Sequence, residues 1–191
     1  MRQWSRLTRR GASYGVRVED FSPNGGSTVH DSPRDLAALP KAHLHLHLEA
    51  AMRPSTLASL AAKYDRPVPA VRGYRSFSAF VEMYVAATDV LRERSDWELL
   101  ADEVLADHVA EGAVYVELIF DAINYRSRFA TEAECWALLF DVFDEASERH
   151  GLPVGWMPGI GRGDRDLVSS VELAEFAVAH RHRGVVSFGL W

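Results

Sequence analysis

Three histidines, His43, His45 and His47, alternate with Leu44, Leu46 and Leu48 and run straight into Glu49. Strict alternation is the mark of a strand. Side chains at i, i+2 and i+4 of a strand share one face, so the spacing predicts three imidazoles on one side and three leucines on the other. Neighbouring neutral imidazoles chelate divalent metals, and zinc suits them. An H-x-H pair alone says little. Three rings on one strand face, followed at once by a carboxylate, point to a metal site rather than to a merely polar face.

The histidines lie within Leu39-Pro40-Lys41-Ala42-His43-Leu44-His45-Leu46-His47-Leu48-Glu49, and Met52-Arg53-Pro54 and Leu57 follow. This stretch resembles the opening motif of the adenosine deaminase family of metal-dependent amidohydrolases, whose pattern reads L-P-K-x-E-L-H-x-H-L-[DE]-G-[AS]-x-x-P-x-x-L. The resemblance implies that His45 and His47 are the first two metal ligands. It also implies that Glu49 stands at the acidic position that contacts the substrate sugar. His43 stands where relatives usually have Glu, and is a possible substitute ligand. Ala50 stands where they usually have Gly. Glu49 is one methylene longer than the commoner aspartate, and the Cβ of Ala50 strains a turn or narrows the pocket. Both departures bear on substrate choice, since related members act on aminofutalosine-type nucleosides, adenine or methylated adenylates.

By resemblance, the activity is hydrolytic deamination of adenosine, or a related 6-aminopurine nucleoside, to inosine and ammonia in purine salvage, with one Zn2+ per site. Such a metal brings the pKa of a bound water from about 15.7 to about 7. A catalytic zinc takes at least three protein ligands. The family's later segments are an H-x-G-E with the third histidine and the catalytic glutamate, a further catalytic histidine, and a late aspartate pair. Nothing before Trp191 matches them, so no catalytic residue is assigned. The expectation is the N-terminal part of such an enzyme, from a truncated or split gene, binding metal weakly and inactive alone. A reading from a different class is a non-catalytic half-barrel remnant or binding module. If the chain is enzymatic, an aminofutalosine or adenine deaminase is the alternative to adenosine.

Composition narrows the setting. The chain has 191 residues, 48% hydrophobic and 25% charged, as in an ordinary globular domain. A net charge of -6 without a dense basic patch argues against nucleic acid as a partner. The single cysteine, Cys135, excludes an intrachain disulfide and the zinc deaminase design that pairs H-x-E with P-C-x-x-C. No apolar run is long enough for a membrane span and no signal-type segment opens the chain, so a cytoplasmic location is expected. Residues 1–35 carry Arg2, Arg6, Arg9, Arg10 and Arg17 and the turn-rich Pro23-Asn24-Gly25-Gly26-Ser27, and read as a disordered extension.

From about residue 36 onward, strands and helices alternate. Strands are expected near 41–47, 113–120, 152–160 and 185–190. Helices are expected from Pro54 to Tyr64, from Ser76, from a Ser95/Glu98 capping box to Gly112, from a Thr131/Glu134 capping box to His150, and over 166–182. This is an α/β chain of parallel βα units. By resemblance it is a TIM-type barrel, here about its first four units, spanning 36–191. An open half barrel leaves strand edges bare, which invites self-association.

The stripe Phe77, Phe80, Val81, Tyr84, Val85 and Thr88 has two readings: core, or, by resemblance, a cover over the substrate pocket supplied by Phe80 and Tyr84. Glu117 interrupts an apolar strand and reads as a structural polar residue. Gly159-Ile160-Gly161-Arg162-Gly163 lacks the ending of a phosphate loop. His180 and His182 read as residues at a helix C-terminus rather than as ligands.

Overall fold

The computed structural model describes residues 38–69, 76–161 and 167–190. The proposed extension at 1–35 lies outside them, as do Arg162 and Gly163. Strands β1 (Lys41–His47), β2 (Ala113–Phe120), β3 (Val154–Ile160) and β4 (Gly189–Leu190) form a parallel sheet in the order β1-β2-β3-β4. The helices are α1 (Pro54–Lys63), α2 (Phe77–Asp89), α3 (Arg94–Ala110), α4 (Glu132–His150) and α5 (Leu167–Ala179). Among the described residues β1 pairs only with β2 and β4 only with β3, so one edge of each is without a strand partner.

The helix boundaries follow local chemistry. Pro54 opens α1, where its missing N–H costs nothing. The Ser76 hydroxyl accepts from Ala79 N at 3.2 Å, and the Thr131 hydroxyl from Glu134 N at 3.1 Å. Gly151 ends α4 at φ 63°, in the left-handed region that favours glycine. The Ser95/Glu98 box is not what starts α3. The N-cap is Glu93, and Asp96 three residues on accepts from its backbone N–H at 2.8 Å. Asp96 wins because the same buried carboxylate also accepts from Lys63 Nζ, Tyr64 OH and Arg92 N, tying α1 to α3.

Val116, Leu118 and Phe120 of β2 point into the helical layer, where they meet Trp97 and Leu100 of α3 and Trp136 and Phe140 of α4. The rings pack edge to face: Phe120 on Trp136 at 5.1 Å and Trp136 on Trp156 at 5.6 Å between centroids. Strand β3 is a full seven-residue ladder in spite of its prolines and glycines. A Cβ at Gly155 would meet the Tyr115 ring and hydroxyl, which would have to move aside. The fourth strand is shorter than expected. It is a two-residue ladder at Gly189–Leu190 plus a separate bridge from Val185 to Trp156.

Candidate metal and purine site

Strand β1 does not keep period two throughout. From His43 to Leu46 the chain takes three steps while its partner β2 takes two, from Val116 to Leu118. The extra residue is a bulge, and His45 sits in it at φ 60°. A β-carbon in the left-handed region costs about 1–2 kcal/mol. The three imidazoles therefore do not share a face, which corrects the expectation from spacing. Leu46 and Leu48 still turn toward the helices. Leu44, at the bulge, is 58% exposed instead of buried.

The bulge sends His43 toward α3. Its Nδ1 lies 2.8 Å from Nε2 of the buried His108, whose own Nδ1 is 2.7 Å from the Val104 carbonyl. A carbonyl only accepts, so in the neutral pair His108 donates to Val104 and accepts from His43. His43 is thus a strand-to-helix tie rather than a member of the His45/His47 pair. His108 escaped notice in the sequence, although its i+4 spacing from Val104 puts it on the buried stripe of α3.

His45 and His47 do come together. Their ring centroids are 5.4 Å apart and nearly perpendicular. His47 pairs in register with Ile119, on the sheet face opposite the helical core. Burial, and then the neighbouring His45, hold the His47 pKa below its ordinary value, favouring the neutral ligand form. The pair lies at the C-terminal end of β1. In open and closed parallel α/β sheets alike, ligands bind at these ends.

Glu49 follows in a short turn, Glu49–Ala51, and is 1% exposed. Tyr125, from the turn Ala122–Tyr125 after β2, donates to Glu49 Oε1 at 2.7 Å. Tyr84 of α2 donates to Oε2 at 3.0 Å. Burial raises the Glu49 pKa, and the hydrogen bonds from Tyr125 and Tyr84 pull it back in part. The His47 and Tyr84 rings meet edge to face at 6.1 Å, so the acid and the histidine pair share a neighbourhood.

Beside them is a cavity of about 430 Å³ lined by Glu49, Ala50, Met52, Phe80, Met83 and Tyr84. The aromatic stripe of α2 is therefore not core: Phe77 is 74% exposed, while Phe80 and Tyr84 face the cavity. Tyr125 had no signal in the sequence, because its role depends on a loop meeting β1 in space. Glu117 accepts from Ser187 Oγ at 3.3 Å, a structural contact. His180 stacks on Phe176 at 4.0 Å between centroids and bonds the Phe176 carbonyl, away from the histidine pair.

The adenosine deaminase sequence profile matches residues 40–191. The chain belongs to the adenosine deaminase family. It is 34% identical over 168 residues to a putative adenosine/adenine deaminase of Streptomyces virginiae, covering 82% of this chain and 49% of that protein. It is 33% identical over 176 residues to an aminodeoxyfutalosine deaminase of Acidothermus cellulolyticus, covering 85% and 48%. Among solved structures, the Arabidopsis N6-mAMP deaminase superposes with a TM-score of 0.70 at 23% identity, over 82% of this chain and 51% of that one. A Burkhoderia ambifaria amidohydrolase with bound zinc gives 0.68 at 24%, over 82% and 45%. The chain thus spans about half the length of the curated relatives it matches. No helix of the described residues is long and apolar enough to cross a membrane.

Proposed function

We propose that this family member supplies the first two metal ligands and the substrate-wall acid of a hydrolase that removes the 6-amino group of an aminopurine, with adenosine to inosine as the nucleoside case. Water adds at C6, the C6–N bond breaks, and ammonia leaves. The observation that carries this reading is the His45/His47 pair at the end of β1, beside an aromatic-walled cavity that holds Glu49. On the same reading the four strands are the first half of an eight-stranded barrel.

The donor set suits zinc as far as it goes: two imidazoles with adjoining rings, one kept neutral by burial. Zinc in this position supplies an activated water at neutral pH. The chain's own residues do the rest of what is proposed here. His45 and His47 hold the ion, Phe80 and Tyr84 cover a flat ring and exclude water, and Glu49 presents the polar group of the wall. The named activities of the relatives, on adenine, adenosine and aminodeoxyfutalosine, support an aminopurine substrate.

The alternative reading is a binding role without turnover. The test is to co-express the chain with the C-terminal half of a related deaminase and measure ammonia released from adenosine, adenine and aminodeoxyfutalosine. Release that disappears in His45→Ala and His47→Ala supports the enzyme reading. Release that survives both substitutions contradicts it.

A further inference from the structure

We propose that two copies of the 191-residue chain close around one divalent cation, the His45/His47 pair of each copy supplying half of its ligands. This deepens the metal reading of that pair above and rests on it.

The sheet has four parallel strands, and among the described residues its end strands, β1 and β4, each have one edge without a strand partner. A copy turned about a two-fold axis running along the strands meets both needs at once. Its β4 lies beside β1, its β1 lies beside β4, and all eight strands run the same way. Eight parallel strands are the number that closes into a barrel. The second copy takes the place of the barrel half that the enzyme reading assigns to later strands. The segments that meet carry exposed apolar side chains: Leu44 of β1 is 58% exposed, and Val186 and Phe188, on the approach to β4, are 56% and 43% exposed. Burying apolar surface favours association. Length fits as well: the chain matches 49% and 48% of two relatives, so two copies hold about as much chain as one of them.

The metal is an independent reason. Zinc sites take three or four protein ligands, and β1 brings two imidazoles with ring centroids 5.4 Å apart. His47 lies on the sheet face opposite the helical core, which is the inner face of the closed barrel. The interior of an eight-stranded barrel is just wide enough for side chains to fill it. Strand β1 of one copy faces β1 of the other across that interior, four strands away in either direction. The two histidine pairs therefore meet at one height on the two-fold axis, four imidazoles in all, a donor set that suits zinc.

The experiment titrates ZnCl2 into the purified 191-residue chain, reading heat and sedimenting mass together, and repeats this with the His45→Ala/His47→Ala double variant. The end point is expected at one zinc for every two chains, with a doubling of mass there, and the double variant is expected to keep its zinc-free mass. Amide hydrogen exchange in the wild-type chain separates barrel closure from a bridge between two exposed histidines. With zinc, the amides of β1 and β4 that do not bond to β2 or β3 are expected to slow by about tenfold. One zinc per chain, an unchanged mass, or edge amides that exchange as fast with zinc as without it overturns the inference, and zinc uptake that is lost in the double variant then leaves the metal reading intact. Zinc uptake that is absent, or the same in the double variant, overturns both.

Discussion

His45→Gly separates stability from metal binding at one residue. His45 is exposed and sits at φ 60°, where a β-carbon costs about 1–2 kcal/mol. Glycine relieves that strain but adds about 0.5–1 kcal/mol of unfolded-state entropy. The net expectation is a metal-free chain more stable by about 0.5–1 kcal/mol. Urea unfolding followed by tryptophan fluorescence reads this directly, because Trp97, Trp136 and Trp156 are all buried. His47→Gly, in regular strand geometry and half-buried, should instead destabilise by about 1 kcal/mol. If His45→Gly lowered the urea midpoint as much as His47→Gly does, the bulge would not be the source of strain and the account of β1 would fail.

Tyr125→Phe should cost about 1 kcal/mol at pH 4 and about 2–3 at pH 8. The sign follows from Glu49: its folded pKa is already raised, which costs stability as pH climbs above the ordinary value, and losing the Tyr125 hydroxyl raises it further. Denaturation at both pH values checks this, and a cost independent of pH would contradict it. Asp96→Asn should cost about 2 kcal/mol at pH 7. Burial pushes the Asp96 pKa up, but the Lys63, Tyr64 and backbone hydrogen bonds more than offset it, so the folded value is depressed. Its contribution is present above the unfolded value near pH 4 and fades as pH falls through the folded one, so the variant's acid unfolding should be flatter there. His43→Ala should lower stability by about 1 kcal/mol, since it leaves buried His108 without that partner, and should leave zinc affinity within about twofold. A large loss of zinc affinity would return His43 to the ligand set.

Much of the fold could be read from the sequence, because its signals are local. Pro54, the Thr131 cap and Gly151 mark helix ends through groups within four residues of one another, and the apolar run of β2 needs no knowledge of its neighbours. The family motif likewise singled out His45, His47 and Glu49 by position. What was missed depends on distant partners. The bulge in β1 exists because β2 sets a register that three alternating histidines cannot reveal. Asp96 outcompetes the Ser95/Glu98 box because α1 brings Lys63 and Tyr64 to it. Tyr125 reaches Glu49 across 76 positions of sequence, and no pattern in the chain announces that contact.

The central claim is that His45 and His47 converge on one divalent cation and that His43 does not. The most direct measurement is a Zn2+ titration of the 191-residue chain followed by NMR of its imidazole nitrogens, with each signal assigned by single His→Ala variants. The account predicts that the His45 and His47 resonances move together toward one end point while those of His43 and His108 stay in place. Movement of the His43 and His108 signals, or none at His45 and His47, would contradict it.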